Sequence, residues 1–278
     1  FIDRNGDLYI TSVTKRECFK LATMVDSIKW NDQTDMLSAI SDGKFVVWYY
    51  PSMVLVDRDL LPLVKVVKTD GDFGKKAHIV DFFGSRCNIR KWDGSMATVN
   101  SSPYPILLYE LVEKKSWESA IRLCRYVKDK SIWACLVAMA IKEKEINTAE
   151  VALAAIEEVD KLQYMIHIKN IPSIEGRNAA LALYMRSPDE AESILLQAGL
   201  YYRAIKMHIK LYNWKRALDL ATRYKTHVDT VLAYRRRYLE QFKREETNPA
   251  FLQYSSVVVD WATIHEKTKQ EKLKEKQR

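Results

Sequence analysis

Ser116-Trp117-Glu118-Ser119-Ala120-Ile121-Arg122-Leu123-Cys124 and Asn213-Trp214-Lys215-Arg216-Ala217-Leu218-Asp219-Leu220-Ala221 follow one pattern: a polar cap, a large aromatic, an alanine three residues on, then an aliphatic pair. At helical spacing the aromatic and the alanine share a face, and the alanine lets a neighbouring helix approach closely. Weaker copies are Ile146-x-x-Ala149, Pro188-x-x-Ala191 and Tyr201-x-x-Ala204. The alanines at 191, 204 and 217 are 13 positions apart, and those at 120 and 149 are 29 apart. One helix therefore takes about 13 positions and a pair about 26 to 29, a solenoid spacing slightly shorter than a tetratricopeptide unit. Ser187-Pro188-Asp189-Glu190 reads as a capping box with Pro at the first helical position, Asn248-Pro249 as a second start, and Ala198-Gly199 as a stop.

Working upstream, the helical period begins at Ser102-Pro103, and the first hundred residues read as short strands. Asn5-Gly6, Asp42-Gly43 and Asp93-Gly94 each lie between runs rich in Val, Ile, Tyr and Trp, as two-residue hairpin turns require. Their glycines are 37 and 51 positions apart, which brackets the roughly 40 to 45 residue blade period of WD-type propellers. One blade is expected from Cys18 to Tyr50, with strands near 25–30, 36–40 and 44–49 and a fourth strand from the neighbouring segment. A second is expected to use 63–68, 77–83, 86–92 and 95–99. Two blades cannot close a ring, which typically has about 4 to 8, so the others belong to upstream sequence or the ring is open. A small antiparallel sheet or sandwich is the alternative.

The expected fold class is thus mixed β then α. Residues 1–101 hold the last blades of a WD40 β-propeller, 102–264 a TPR-like α-solenoid of helix hairpins, and 265–278 a charged tail, either a solvated helix extension or disordered.

The 278 residues are 47% hydrophobic, enough for two modest cores, and the net charge of +8 arises from 44 Lys and Arg against 36 Asp and Glu. That balance mixes both signs over the surface and does not by itself indicate a nucleic-acid binder. Cys18, Cys87, Cys124 and Cys135 are widely spread with no metal-ligand spacing, and read as reduced, buried thiols of a cytosolic protein. The longest apolar run, Ile132 to Ile141, falls far short of the roughly 20 residues of a membrane helix, so no membrane insertion is expected. Phe1 follows no initiator Met, and the opening has no signal-peptide pattern, so the natural start is expected upstream.

Sequence motifs for catalysis are isolated. Asp72-Phe73-Gly74 spells a kinase metal-binding triplet without the companion motifs, and Ser12-x-x-Lys15 an acyl-transfer string without its partners. No glycine-rich phosphate loop is present, and the five histidines are scattered. The expectation is no enzyme, no catalytic residue, no cofactor and no metal. The sharpest patch is Arg235-Arg236-Arg237 followed by Lys243 and Arg244. As a solvated face it would be balanced by Glu240, Glu245 and Glu246; as a partner-binding site it would contact an acidic protein surface, because guanidinium pairs bidentately with carboxylate. Nucleic acid is not expected, since Tyr234 and Tyr238 give only a weak interleaving of aromatics with the basic residues.

The run Leu183-Tyr184-Met185 through Glu192, then Gln197 to Ile205 and Asn213 to Ala221, resembles the solenoid of the intraflagellar transport WD-repeat family, and the same helix-pair grammar occurs in vesicle-coat subunits. Ser41 to Pro51 and Asp81 to Cys87 resemble the complex B branch of that family. The resemblance implies two tandem propellers followed by helices, of which this chain would hold the end of the second propeller and the helical part. It also implies a non-catalytic scaffold in cilia, basal bodies and axonemes. The partners implied are other complex B subunits, with self-association as a further option. The alternative is a vesicle-coat-type subunit in membrane trafficking.

Overall fold

Short runs of β-branched and aromatic residues, punctuated by turn residues, open the chain as antiparallel ladders. In the computed structural model, which describes residues 1–13, 17–68, 73–74, 76–254, 257 and 259–277, two compact units are present, Phe1–Ile166 and His167–Arg278. Lys15 and Asp72, one residue from each of the two isolated motifs, lie outside the described residues, whereas Ser12, Phe73 and Gly74 lie within them.

In the first unit β1 (Leu8–Thr11) pairs with β2 (Cys18–Ala22). A second sheet runs in the order β3 (Val25–Trp30), β4 (Leu37–Ser41), β5 (Lys44–Trp48) and β6 (Lys65–Lys68). A third consists of β7 (His78–Phe83), β8 (Arg86–Arg90) and β9 (Met96–Asn100). The sheets are propeller-like and do not close into a ring. The second packs on the third through polar stitches: the Asn31 amide donates to the carbonyls of Gly84 (2.8 Å) and Phe82 (3.3 Å), and Ile79 N–H donates to Ser27 Oγ at 3.1 Å.

Three expectations change. The segment 63–68 does not start the second blade. Its strand β6 completes the first four-stranded sheet, pairing Val46 with Val67 and Trp48 with Lys65, after 3-10 turns at Pro51–Leu55 and Arg58–Val64 carry the chain back. The backbone of β5 is buried among apolar side chains and needs a ladder partner on this side. Cys18 belongs to the sheet of β1, not to the blade that follows, and is exposed; Cys87, Cys124 and Cys135 are buried, and all four are free thiols. Burial pushes the Cys87 and Cys124 thiols up to about 12.

The third change concerns the turns. Asp42 and Gly43 both have positive φ, 50° and 71°, and make the two-residue hairpin between Ser41 and Lys44. At Asn5-Gly6 and Asp93-Gly94 only the glycine does, at 78° and 85°. There Asp3 Oδ1 and Asp93 Oδ1 accept backbone N–H bonds two residues on (2.9 Å each), and the glycine closes a longer loop. Carboxylate-stabilised turns of this kind compete with the tighter hairpin.

Still in the first unit, α1 (Tyr104–Glu113) and α2 (Trp117–Val127) precede α3 (Lys130–Lys142), whose residues from Ser131 to Ile141 are all buried. This is the apolar run noted above, too short for a membrane and hydrophobic on every face because it is surrounded. Next come α4 (Ile146–Ala155) and α5 (Val159–Lys169), the last three residues of which belong to the second unit. The Tyr109 hydroxyl reaches the carbonyls of Asp35 (2.8 Å) and Tyr49 (2.9 Å), fixing α1 to the strands, and burial holds its ionisation far above the usual phenol range.

The second unit contains α6 (Ile174–Tyr184), α7 (Pro188–Gln197), α8 (Tyr201–Lys210), α9 (Trp214–Arg223), α10 (Val228–Gln241), the short α11 (Pro249–Leu252) and α12 (Trp261–Lys276). The alanines that define the repeat, Ala120, Ala149, Ala191, Ala204 and Ala217, are each 0% exposed, so their small size is used at closely packed contacts. α7 starts at Pro188 and α11 at Pro249, although Ser187 gives α7 no side-chain cap whereas Asn248 Oδ1 caps α11 by accepting from Ala250 N–H.

What ends α1, α3, α4 and α6 to α10 is one device repeated. The residue after the C-cap adopts positive φ, and the next N–H donates to a carbonyl five residues back, as in Asn213 to His208 (2.9 Å) and Thr226 to Ala221 (3.0 Å). The left-handed residues Arg186, Gly199, Tyr212 and Lys225 stand 13 apart, the same period as the alanines. Gly199 alone among these four is a glycine; each of the others carries a strain of about 1 kcal/mol that the completed cap offsets.

Candidate interaction surface

Helix α10 carries the three consecutive arginines, and the structure gives each a different role. Arg235 is half-buried: Glu246 accepts from its Nε (2.8 Å) and Nη2 (3.1 Å), and its guanidinium lies 5.5 Å from the ring centre of Trp214, 5.5 Å from that of Phe251 and 5.8 Å from that of Tyr238. The Arg235 side chain beside Glu246 holds that carboxyl below its ordinary range. Arg236 donates through Nη2 to the carbonyls of Tyr254 (3.2 Å) and Val257 (2.8 Å), tying the connection after α11 to α10. Consecutive helix residues are 100° apart, so one triplet serves three faces. Arg237 is exposed and lies 5.8 Å from the ring centre of Trp261.

Arg237, Arg236, Glu240, Trp261 and His265 line a cleft of about 600 Å³ between α10 and α12. Past the end of α10, Lys243 and Arg244 are both exposed. The structure therefore separates the five basic residues: two are committed to contacts inside the unit, and Arg237, Lys243 and Arg244 face solvent.

Beside Arg235 lies an aromatic group that its sequence positions alone did not assemble. Tyr238 is 5.3 Å from both Tyr212 and Trp214 and 4.8 Å from Phe242, ring centre to ring centre. Tyr212 is 64% and Phe242 54% exposed. The signal available beforehand was the 13-residue repeat, which sets the residue before the Trp214 cap at the tip of the α8–α9 connection. Of the other repeat aromatics, Trp133 and Tyr202 are buried and Tyr126 is exposed.

Two ionic clusters sit inside the same unit. Glu192 of α7, only 8% exposed, accepts from Arg216 of α9 and lies 2.7 Å from His208 Nε2 of α8. Arg216, then His208, hold the Glu192 carboxyl below the usual range despite its burial. The charged tail is helical in α12, which is capped by Asp260 and held mostly by polar bonds. Thr268 meets the Tyr202 hydroxyl (3.2 Å), Lys267 pairs with Asp229, and Glu275, itself buried, pairs with Arg203 (2.6 Å) and accepts from Ser173. Gly176 in α6 leaves room for this, since a β-carbon there would come within 2.5 Å of the Ser173 hydroxyl and 3.2 Å of Glu275.

Charge is divided unevenly between the units. Residues 1–166 hold 23 Lys and Arg and 23 Asp and Glu, whereas residues 167–278 hold 21 and 13, so the whole excess of +8 belongs to the second unit. Among the described residues no three His, Cys, Asp or Glu side chains gather as a metal cluster, and no helix is long and apolar enough to cross a membrane.

Comparison with known proteins matches residues 132–277 to the family described as the IFT80/172/WDR35/WDR19 TPR domain, and residues 1–104 to the IFT80 second beta-propeller. Over its whole length the chain is 47% identical to the intraflagellar transport protein 80 homologs of Rattus norvegicus and Mus musculus, spanning 36% of each. It is also 23% identical to the intraflagellar transport protein osm-1 of Caenorhabditis elegans over 79% of this chain and 13% of that protein.

Proposed function

We propose, because this chain belongs to the intraflagellar transport protein 80 family, that it works as a non-catalytic scaffold segment of intraflagellar transport complex B. It would join transport subunits during cilium formation and reside in the cilium and at the basal body. The family is of a structural type built from WD and TPR repeats, and its relatives' names tie it to a transport assembly of cilia. The observation that supports a binding role is the second unit: an apolar core and partly buried ion pairs fix the helices, while exposed cations and rings remain at their edges. Arg237, Lys243 and Arg244 are the members of the basic cluster we assign to an acidic partner; Arg235 and Arg236 act by holding the surface in shape.

The test is affinity purification of the tagged chain from ciliated cells with identification of the bound subunits. Recovery of transport subunits at low salt, weakened by Arg237→Glu with Lys243→Glu and Arg244→Glu, is the expected result. Recovery of none would refute the reading.

A further inference from the structure

The aromatic group at the ends of α8 and α10 joins two exposed rings, Tyr212 (64%) and Phe242 (54%), through the half-buried ring of Tyr238, and Leu211, next to Tyr212 in the chain, is also exposed (49%). It is rigid. Tyr212 and Lys243 occupy the left-handed position of their helix caps at φ 56° and 51°, and Arg235, clamped by Glu246, lies against Trp214 and Tyr238 from behind. In the preceding turn of the repeat the position of Tyr212 is filled by Gly199. Arg186 and Lys225 hold the same left-handed position in other turns, so the conformation belongs to the shared cap and the exposure of its ring is what distinguishes Tyr212.

Around these rings stand Lys210, Lys215, Lys243 and Arg244, all exposed and without an ion pair among the described residues, in the unit that carries the whole net charge. Rigid aromatics ringed by charge are the composition of binding hot spots. We propose that this aromatic end is a docking site for an acidic peptide segment of a partner protein, one bearing a large apolar side chain flanked by carboxylates. The proposal rests on the scaffold reading and names the chemistry of one partner.

Two observations favour a peptide over a nucleic-acid strand. The two exposed rings, Tyr212 and Phe242, meet Tyr238 at tilts of 46° and 48° and are not set parallel as a ladder for successive bases. Glu240 and Glu245 are interspersed with the cations and would repel a continuous phosphate backbone, whereas a peptide can place its few carboxylates between them.

The experiment measures binding of the 278-residue chain to a labelled Asp-Asp-Phe-Asp-Asp-Leu repeat peptide. The comparison probes are oligo-aspartate of equal charge, a uridine 20-mer and phosphatidylserine vesicles. The peptide should bind at least tenfold more tightly than oligo-aspartate. Tyr212→Gly with Phe242→Ala, and separately Lys243→Glu with Arg244→Glu, should each weaken it tenfold or more without a fall in thermal melting that would signal unfolding. Lys115→Glu with Lys128→Glu in the first unit should leave it unaltered. Equal binding of oligo-aspartate, tighter binding of uridine oligomer or vesicles, or intact binding by the ring variant would overturn the proposal. If the ring variant still recovers the same transport subunits from cells, docking at this site fails while the scaffold reading stands; if the wild-type chain recovers none, the scaffold reading fails independently of the peptide result.

Discussion

The first unit is electrically neutral and closes around apolar side chains, with α3 buried from Ser131 to Ile141 and Trp48, Phe45 and Phe82 among its fully enclosed residues. The second unit, with all the excess charge, runs carboxylates through its helix contacts at Glu192, Glu246 and Glu275. Apolar burial is non-directional and weakly dependent on salt or pH, whereas buried ion pairs fix geometry at a desolvation cost and respond to protons. Both units bury an apolar core, that of the second running from Ala179 to Phe251, and the second adds several ion pairs across its helix contacts that fix their geometry.

The comparison breaks most visibly if its apolar half is opened. Leu136→Ala, at a site with 0% exposure, should cost about 3 kcal/mol through lost burial and a cavity, read by urea unfolding, with a cost that barely changes between low and high salt. In the other half, Ala217→Trp should strain the α8–α9 contact by about 1 to 3 kcal/mol or more. Unchanged melting in that variant would mean that the alanine contacts do not set the repeat.

Glu192→Gln should remove about 2 kcal/mol from the second unit, because hydrogen bonds to charged groups carry most of that contact and His208 is left buried without its carboxylate. Half-exposed Arg216 keeps access to water, which limits the loss.

Acid should separate the units in the same sense. Arg216 holds Glu192, and Arg235 holds Glu246, below the ordinary value of 4.5, so their stabilisation is complete above that value and disappears as pH falls through the depressed folded values. Asp35 in the first unit is shifted the other way by burial, so protonation there favours folding as pH falls through its raised value. Pepsin digestion at progressively lower pH should cut first within residues 167–278; earlier cleavage within 1–166 would remove the contrast.

The smallest effect concerns the caps. Lys225→Gly, at φ 52° on an exposed connection, should stabilise by about 0.5 to 1 kcal/mol, and Gly199→Ala should destabilise by about 1 kcal/mol. Melting temperatures moving in opposite directions would verify the shared device.

Much of this was readable beforehand. Strands 25–30 and 44–49 were legible within a residue because β-branched alternation and a two-residue Asp-Gly turn leave little choice of register. The repeat was legible through its alanines. Helix ends were not: glycine is the residue that marks a stop in sequence, while most stops here place Lys, Arg or Tyr in the left-handed position, which only the cap hydrogen bonds reveal. The destination of β6 was missed because ladder pairing is non-local. The basic cluster is visible as a run in the sequence, but its division into buried clamps and exposed cations depends on Glu246, Trp214, Tyr254 and Val257, which other segments supply.

The order of strands then helices, the 13-residue period and the excess of basic residues are properties of the chain itself, since each follows from local sterics, hydrophobic spacing and composition. Which carboxylates lie inside, which rings stay outside and where the tail helix rests were decided in three dimensions, because a charge or an aromatic ring acquires its role from neighbours that folding brings from distant positions.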